Sequence, residues 1–182
     1  MMNEIRYRAA PTFDEMLEAV QRNRDLWHGV WQRARLPGWV ESAVSGIDRP
    51  VHLLALSEDW CGDAVNSLPW VARLAEASPG IDLRVLSRDE NADLMDAHLT
   101  NGSSRSIPVV IAYDDAFGEI GWWGPRPAPL QAWVREDGLK LPGDERYLEV
   151  RKWYARDRGE TILCEVLELI STERPAACAG VL

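Results

Sequence analysis

No apolar stretch of this 182-residue sequence is long enough to cross a membrane. The longest uncharged runs, "VHLLALS" and "IPVVIAY", fall far short of the roughly 20 residues a bilayer-spanning helix needs. Basic residues are in deficit as well. Lys and Arg number 20 against 29 Asp and Glu, a formal net charge of −9, which argues against a nucleic-acid partner, because counterion release needs clustered cations facing phosphates. His28, His52 and His98 are scattered without ligand spacing, and neither H-E-x-x-H nor a Gly-rich phosphate loop occurs. No metal and no cofactor are therefore expected. The three cysteines, Cys61, Cys164 and Cys178, are an odd number at spacings that suggest neither a disulfide framework nor a zinc site. That usage, with no membrane span and no secretory signal pattern in "MMNEIRYRAAPTFDEM", fits a soluble protein of the reducing cytoplasm.

What is present reads as a single α/β domain over residues 1–182, with no internal repeat. Apolar residues at three- and four-residue steps from Phe13 to Trp31, behind Thr12 as N-cap, predict one long helix ending near "LPGW". "IDRPVHLLALSED" reads as a strand. "WCGDAVNSLPWVARLAEASPG" reads as a helix, with a kink expected at Pro69. A second strand ("IDLRVLSRDE"), a short helix ("NADLMDAHLTNG"), a third strand ("SIPVVIAYDD") and its antiparallel partner ("GEIGWWG") follow. Helices complete the chain over "PAPLQAWVRED" and "DERYLEVRKWYARDRGETILCEVLELIS", and the tail "TERPAACAGVL" is expected to be mobile. This order is that of a sheet covered by helices.

The segment "LLALSEDWCGDAVNSLP" places Trp60, Cys61, Gly62 and Asp63 at a strand-to-helix turn, with Pro69 eight residues beyond the cysteine and "RSIPVV" opening the third strand. On these residues the chain resembles the thioredoxin-like family, in particular a bacterial group whose turn reads W-C-G-D-A or W-C-G-D-C. The resemblance implies a three-layer α/β/α sandwich with its core at about residues 50–140, an N-terminal helical extension over 1–49 and a C-terminal one over 141–182. It implies a cis Pro108 facing the turn, and it matches "WWGPRP" to the glycine-bearing turn that completes the substrate groove. Two departures stand out. The second cysteine of C-x-x-C is replaced by Ala64, and the buried aspartate six residues before the first cysteine by Ala55. A dithiol cycle cannot run on this turn alone.

At the first turn of a helix, the Cys61 sulfur would face unpaired N–H groups and the positive end of the dipole, which favour thiolate. Glu58, Asp59 and Asp63 crowd the same turn and oppose it. Asp63 reads either as a base or substrate-positioning group beside Cys61, or as an acidic first-turn residue serving the helix. The backbone of Ile107 would offer an N–H and a C=O to an extended ligand. Trp60, Trp122 and Trp123 are candidates for an aromatic rim, while Trp70, Trp133 and Trp153 fit helix packing. Because Trp122 and Trp123 are adjacent on a strand they point to opposite faces, and a dimer or docking surface is one cover for the outward one. Cys164 lies on an apolar helical face; Cys178, on the tail, is a remote candidate for resolving an adduct on Cys61.

These readings make Cys61 and Asp63 the candidate catalytic residues, and Trp60, Gly62, Ile107, Pro108, Trp123 and Gly124 the candidate substrate-binding residues. The expected chemistry is monothiol thiol–disulfide exchange with a protein or small-molecule thiol or disulfide, an external thiol resolving the adduct. The rivals are a non-catalytic peptide-binding groove and a thiol redox sensor or peroxidase.

Overall fold

A computed structural model describes residues 2–172 and 174–180. Four strands form one mixed sheet in the order β2-β1-β3-β4: β1 (Val51–Ser57), β2 (Ile81–Ser87), β3 (Val109–Tyr113) and β4 (Glu119–Trp123). β1 runs parallel to β2 and antiparallel to β3, and β3 pairs antiparallel with β4. Every residue of β1 except His52 is buried, so both faces of the sheet are covered. The covering elements are α1 (Glu4–Ala9), α2 (Phe13–Ala19), α3 (Arg24–Arg33), α4 (Gly38–Ser45), α5 (Gly62–Glu76), α6 (Ala92–Ala97), α7 (Ala128–Glu136), α8 (Gly143–Asp157) and α9 (Glu160–Ile170). This is a thioredoxin-like α/β fold. α5 packs against β2, α3 and α9, and α9 also against β4.

The flanking helices brace the sheet and the turn above it. In α1, the buried Tyr7 hydroxyl donates to the carbonyls of Leu53 and Asp82 at 3.0 and 3.2 Å, pinning the N-terminal segment across β1 and β2. The outer edge of β2 is covered by residues 11–12, through Val85 N–H to the Pro11 carbonyl and a bridge between Thr12 and Arg84. The middle of an edge strand is thereby covered.

The single long helix predicted between Thr12 and the Leu36–Trp39 turn is in fact two. α2 starts with the Thr12–Glu15 capping box and stops at Val20, and α3 restarts after Asn23, which has φ +55°. The break has a physical reason: the backbone N–H groups of Gln21 and Arg22 both donate to the Asp59 carboxylate, at 3.0 and 2.9 Å. The Asn23 amide and the Trp27 indole N–H add bonds to the carbonyls of Asp59 and Trp60. An unbroken helix would have kept those N–H groups for itself. α1 and α4 were not anticipated, being short with little periodicity. α5 continues past Pro69 to Glu76 as one element, so the proline does not divide it.

A second correction concerns the tail. Its residues 173, 181 and 182 lie outside the described ones, but Ala176–Gly180 form a 3-10 turn, and Cys178 is disulfide-bonded to Cys164 with a Cα–Cα distance of 5.5 Å. Both cysteines are fully buried. The segment from 174 to 180 is therefore anchored to α9, and Cys178 is not free to resolve an adduct on Cys61. The argument for a reducing compartment from unpaired cysteines falls with it. Among the described residues no helix is long and apolar enough to cross a membrane. The Cys164–Cys178 bond predicts one titratable thiol in the unfolded, unreduced chain. Cys178→Ser should cost about 3 kcal/mol, the loop-closure value for a loop of this size, read as a lower denaturation midpoint.

Candidate functional site

Cys61 is the N-cap of α5, and its sulfur accepts from the Ala64 N–H at 3.5 Å. The thiol donates to the carbonyl of Ile107 at 3.3 Å, across the turn from a cis Ile107–Pro108 peptide. It is the free cysteine of the chain and 7% exposed, at the floor of a cleft of about 550 Å³. Burial pushes the thiol up from its ordinary value, and the Asp63 charge adds to that, while the Ala64 N–H and the Arg126 guanidinium pull the other way. At rest Cys61 is therefore a capped thiol.

The acidic crowd expected around it is turned elsewhere. Asp59 receives the backbone of Gln21 and Arg22. Glu58 accepts from the Ser87 hydroxyl at 2.8 Å and the Asp89 N–H at 3.1 Å. Asp63, although in the first turn of α5, is buried and has both oxygens engaged: Arg126 at 2.6 Å from one, the Tyr154 hydroxyl at 3.0 Å on the other. Burial pushes its carboxyl up, and Arg126 and Tyr154 pull it back. It is neither a base hydrogen-bonded to Cys61 nor a solvated first-turn acid. It is the centre of a buried polar cluster that ties α5 to the 124–127 loop and to α8.

That loop lies directly on the cis-proline segment. The Gly124–Pro125 peptide is also cis, and Gly124 has φ +131°. A Cβ built there would overlap the Pro108 carbonyl oxygen, so only glycine fits. Gly62, in contrast, has open space where a Cβ would stand. Trp60 is 41% exposed on the rim, with the Arg88 guanidinium 5.2 Å from its ring centre. The other rim candidates are placed differently. Trp123 is buried with its indole N–H on Glu165 of α9 at 2.5 Å, and Trp122 meets the edge of His98 with ring centres 5.9 Å apart. Neither lines the Cys61 cleft.

Cys61, Gly62, Asp63, Trp60 and Ile107 thus line one cleft, while Pro108 and Gly124 pack against each other next to Ile107 without lining it. The sequence reading missed Arg126, Tyr154 and three further arginines on the cleft wall, Arg88, Arg105 and Arg151. Arg126 sits inside the "WWGPRP" stretch that was read for its glycine; an aspartate on the apolar turn of α5 was the signal that some cation had to meet it. Nothing local marks Tyr154, 91 positions away. Among the described residues no group of three or more His, Cys, Asp or Glu is placed to hold a metal.

Comparisons with known proteins bear on the fold. The chain is similar to a protein of unknown function from Pseudomonas aeruginosa, with 20% identity and a TM-score of 0.73 over 93% of this chain and 98% of that one. It is similar to an HIV epitope-scaffold at 19% identity, with a TM-score of 0.71 and the same coverage. At such identities the likeness speaks for the fold, flanking helices included. No curated protein matches the sequence. A family model described as thioredoxin matches residues 10–140, which takes in the turn, the cis-proline segment and the 124–127 loop. The chain belongs to that thioredoxin family.

Proposed function

We propose that this protein carries out thiol–disulfide exchange through Cys61 alone, with an external thiol completing the cycle. The observation that carries the reading is the seat of its free thiol, at the N-cap of α5, opposite the cis Ile107–Pro108 peptide and open to a cleft. The capping bond supplies a trigger. Ile107 is the backbone an extended substrate would pair with, and a substrate N–H that takes the Ile107 carbonyl displaces the Cys61 S–H from it. The released sulfur keeps the Ala64 N–H, the helix N-terminus and the Arg126 charge, all of which favour thiolate.

The thiolate then attacks one sulfur of a disulfide RS–SR′. A Cys61–S–SR bond forms, the RS–SR′ bond breaks, and R′S⁻ leaves, taking up the equivalent of the proton Cys61 gave to solvent. An external thiolate attacks the substrate sulfur of the adduct, forming a new disulfide and freeing Cys61. Ala64 can perform no second attack, and Cys164 and Cys178 are bonded to each other. Asp63 is a positioning residue here: it fixes Arg126 beside the reacting sulfur and holds the α5 N-terminus against the groove. A second reading, a groove that binds without chemistry, draws on the burial of the same thiol, which lowers its reactivity at rest.

Two experiments separate these. On exposure to a small disulfide without added thiol, the protein should gain one mixed disulfide at Cys61, seen in the intact mass and lost on adding thiol. Cys61→Ser should gain none. No adduct on the folded protein in excess disulfide, even at the highest pH at which it stays folded, leaves only the binding groove. The pH profile of Cys61 alkylation tests Asp63. Because burial raises the thiol, the rate should still be climbing above the ordinary thiol range. Asp63→Asn removes a like charge and should move that midpoint down, whereas loss of a general base would slow alkylation at every pH. The same substitution should cost about 2 kcal/mol, below the usual 3–5 for a broken buried pair because Arg126 keeps some solvent. Tyr154→Phe should cost about 1 kcal/mol and leave the midpoint near its original place.

A further inference from the structure

The cleft above Cys61 does not end there. Leu26, Asn66 and Arg151 line both it and a second cleft of about 810 Å³, so the two form one trough running from the reacting sulfur between α3 and α8. Its floor beyond the shared residues is apolar, with Val30, Pro37 and Trp70. Its walls are basic. To the arginines beside Cys61 the second cleft adds Arg33, Arg35 and Arg158, and the acids lining the whole trough are Asp63, already held by Arg126, and Glu160.

The charge balance of the trough is one-sided, with seven arginines lining it against two acids. Arg88 and Arg105 have acidic partners in Asp89 and Asp96. Arg33, Arg35, Arg151 and Arg158 have none among the described residues; Arg35 makes only a bond to the adjacent Ala34 carbonyl. Four unpaired guanidiniums around one apolar-floored trough are a complementary field waiting for negative charge. The apolar floor decides the kind of ligand: a nucleic-acid backbone would bury its phosphates against Val30 and Trp70 without compensation, whereas a peptide can set apolar side chains there and carboxylates on the rim.

We infer that the second cleft is a recognition subsite for an acidic peptide segment, carrying at least one apolar side chain, that flanks the reacting cysteine of a partner protein. The inference takes the substrate's orientation from the reading of Cys61 as the reacting thiol, but binding at the subsite does not require that chemistry.

The test therefore has a reactive and an unreactive arm. In the reactive arm, short peptides bearing one cysteine as a pyridyl disulfide, followed by Asp-Leu-Glu, Asn-Leu-Gln or Lys-Leu-Lys, are compared by release of the pyridyl thiol. The acidic peptide should react about tenfold faster than the neutral one at low ionic strength, and the gap should close toward 0.5 M salt, as expected for roughly this much charge steering. In the unreactive arm, a fluorescent Ser-Asp-Leu-Glu peptide should bind Cys61→Ser, the oligo-lysine counterpart should not, and a single-stranded oligonucleotide of equal charge should not displace it. The exposed pair Arg33→Glu/Arg35→Glu, both outside the Cys61 cleft, should abolish the acidic preference in both arms, read as the ratio of acidic to neutral rates and affinities. Equal rates and equal binding for the three peptides, displacement by the oligonucleotide, or an acidic preference that survives the double charge reversal would overturn the subsite. Failure of every peptide to react, with acidic binding intact, would instead remove the chemistry proposed for Cys61 and leave the subsite standing.

Discussion

The contact between Asp63 and Arg126 holds the site together. The carboxylate belongs to the first turn of α5, the guanidinium to the loop that follows β4, and Tyr154 closes the cluster from α8. Three segments far apart in sequence meet there at the mouth of the groove. A buried pair of this kind contributes little net stability compared with apolar residues of the same shape, since desolvation offsets most of the attraction. Its effect is on register: the pair is satisfied only when the 124–127 loop lies against the Pro108 segment, and that contact in turn admits only glycine at position 124. Site geometry and helix packing are thus conditions on each other.

From this follows the division of labour around Cys61. In a turn carrying Glu58, Asp59 and Asp63, the sulfur would be a poor nucleophile if those charges faced it. Each is instead bound elsewhere, Asp59 by the joint between α2 and α3, Glu58 by Ser87 and Asp89, Asp63 by Arg126 and Tyr154. The flanking N-terminal helices, which look dispensable beside a thioredoxin core, earn their place by taking Asp59 out of the site and fixing the carbonyls of residues 59 and 60. What remains to set the thiol is burial, with the nearby Asp63 charge adding to it, on one side, and a helix N-terminus with one nearby guanidinium on the other.

Which of this could be read from the chain depended on how local the cause was. The strand-to-helix turn at Cys61, the proline at 108 and the pairing of "GEIGWWG" with the third strand are written in short stretches, and all were legible. The break at Asn23 was not, because the Phe13–Trp31 periodicity continues through it and only a carboxylate some 36 positions later ends the helix. Asp63 admitted two readings for the same reason, its partners being a loop and a helix that meet only in the folded chain. Trp123 pointed the wrong way because a strand dictates alternation but not which face is core, and Glu165 of α9 settled that. The Cys164–Cys178 bond escaped notice since two cysteines 14 apart, one on a helix and one on a tail, carry no spacing signature.

Loss of the second thiol and retention of the groove are two separate facts, and the structure lets them be weighed separately. In a dithiol site the neighbouring sulfur ends every encounter from within, so a substrate needs only brief contact. With Ala64 in that place, an adduct formed as proposed would persist until an outside thiol arrived, and selectivity would reside in which partner reaches Cys61 first. On the proposed reading, a buried thiol capped by the Ile107 carbonyl would meet that demand, reacting slowly with whatever merely collides and faster with a ligand that takes the carbonyl. A monothiol turn and a raised thiol are therefore consistent with one proposed design, in which binding would precede and permit the chemistry.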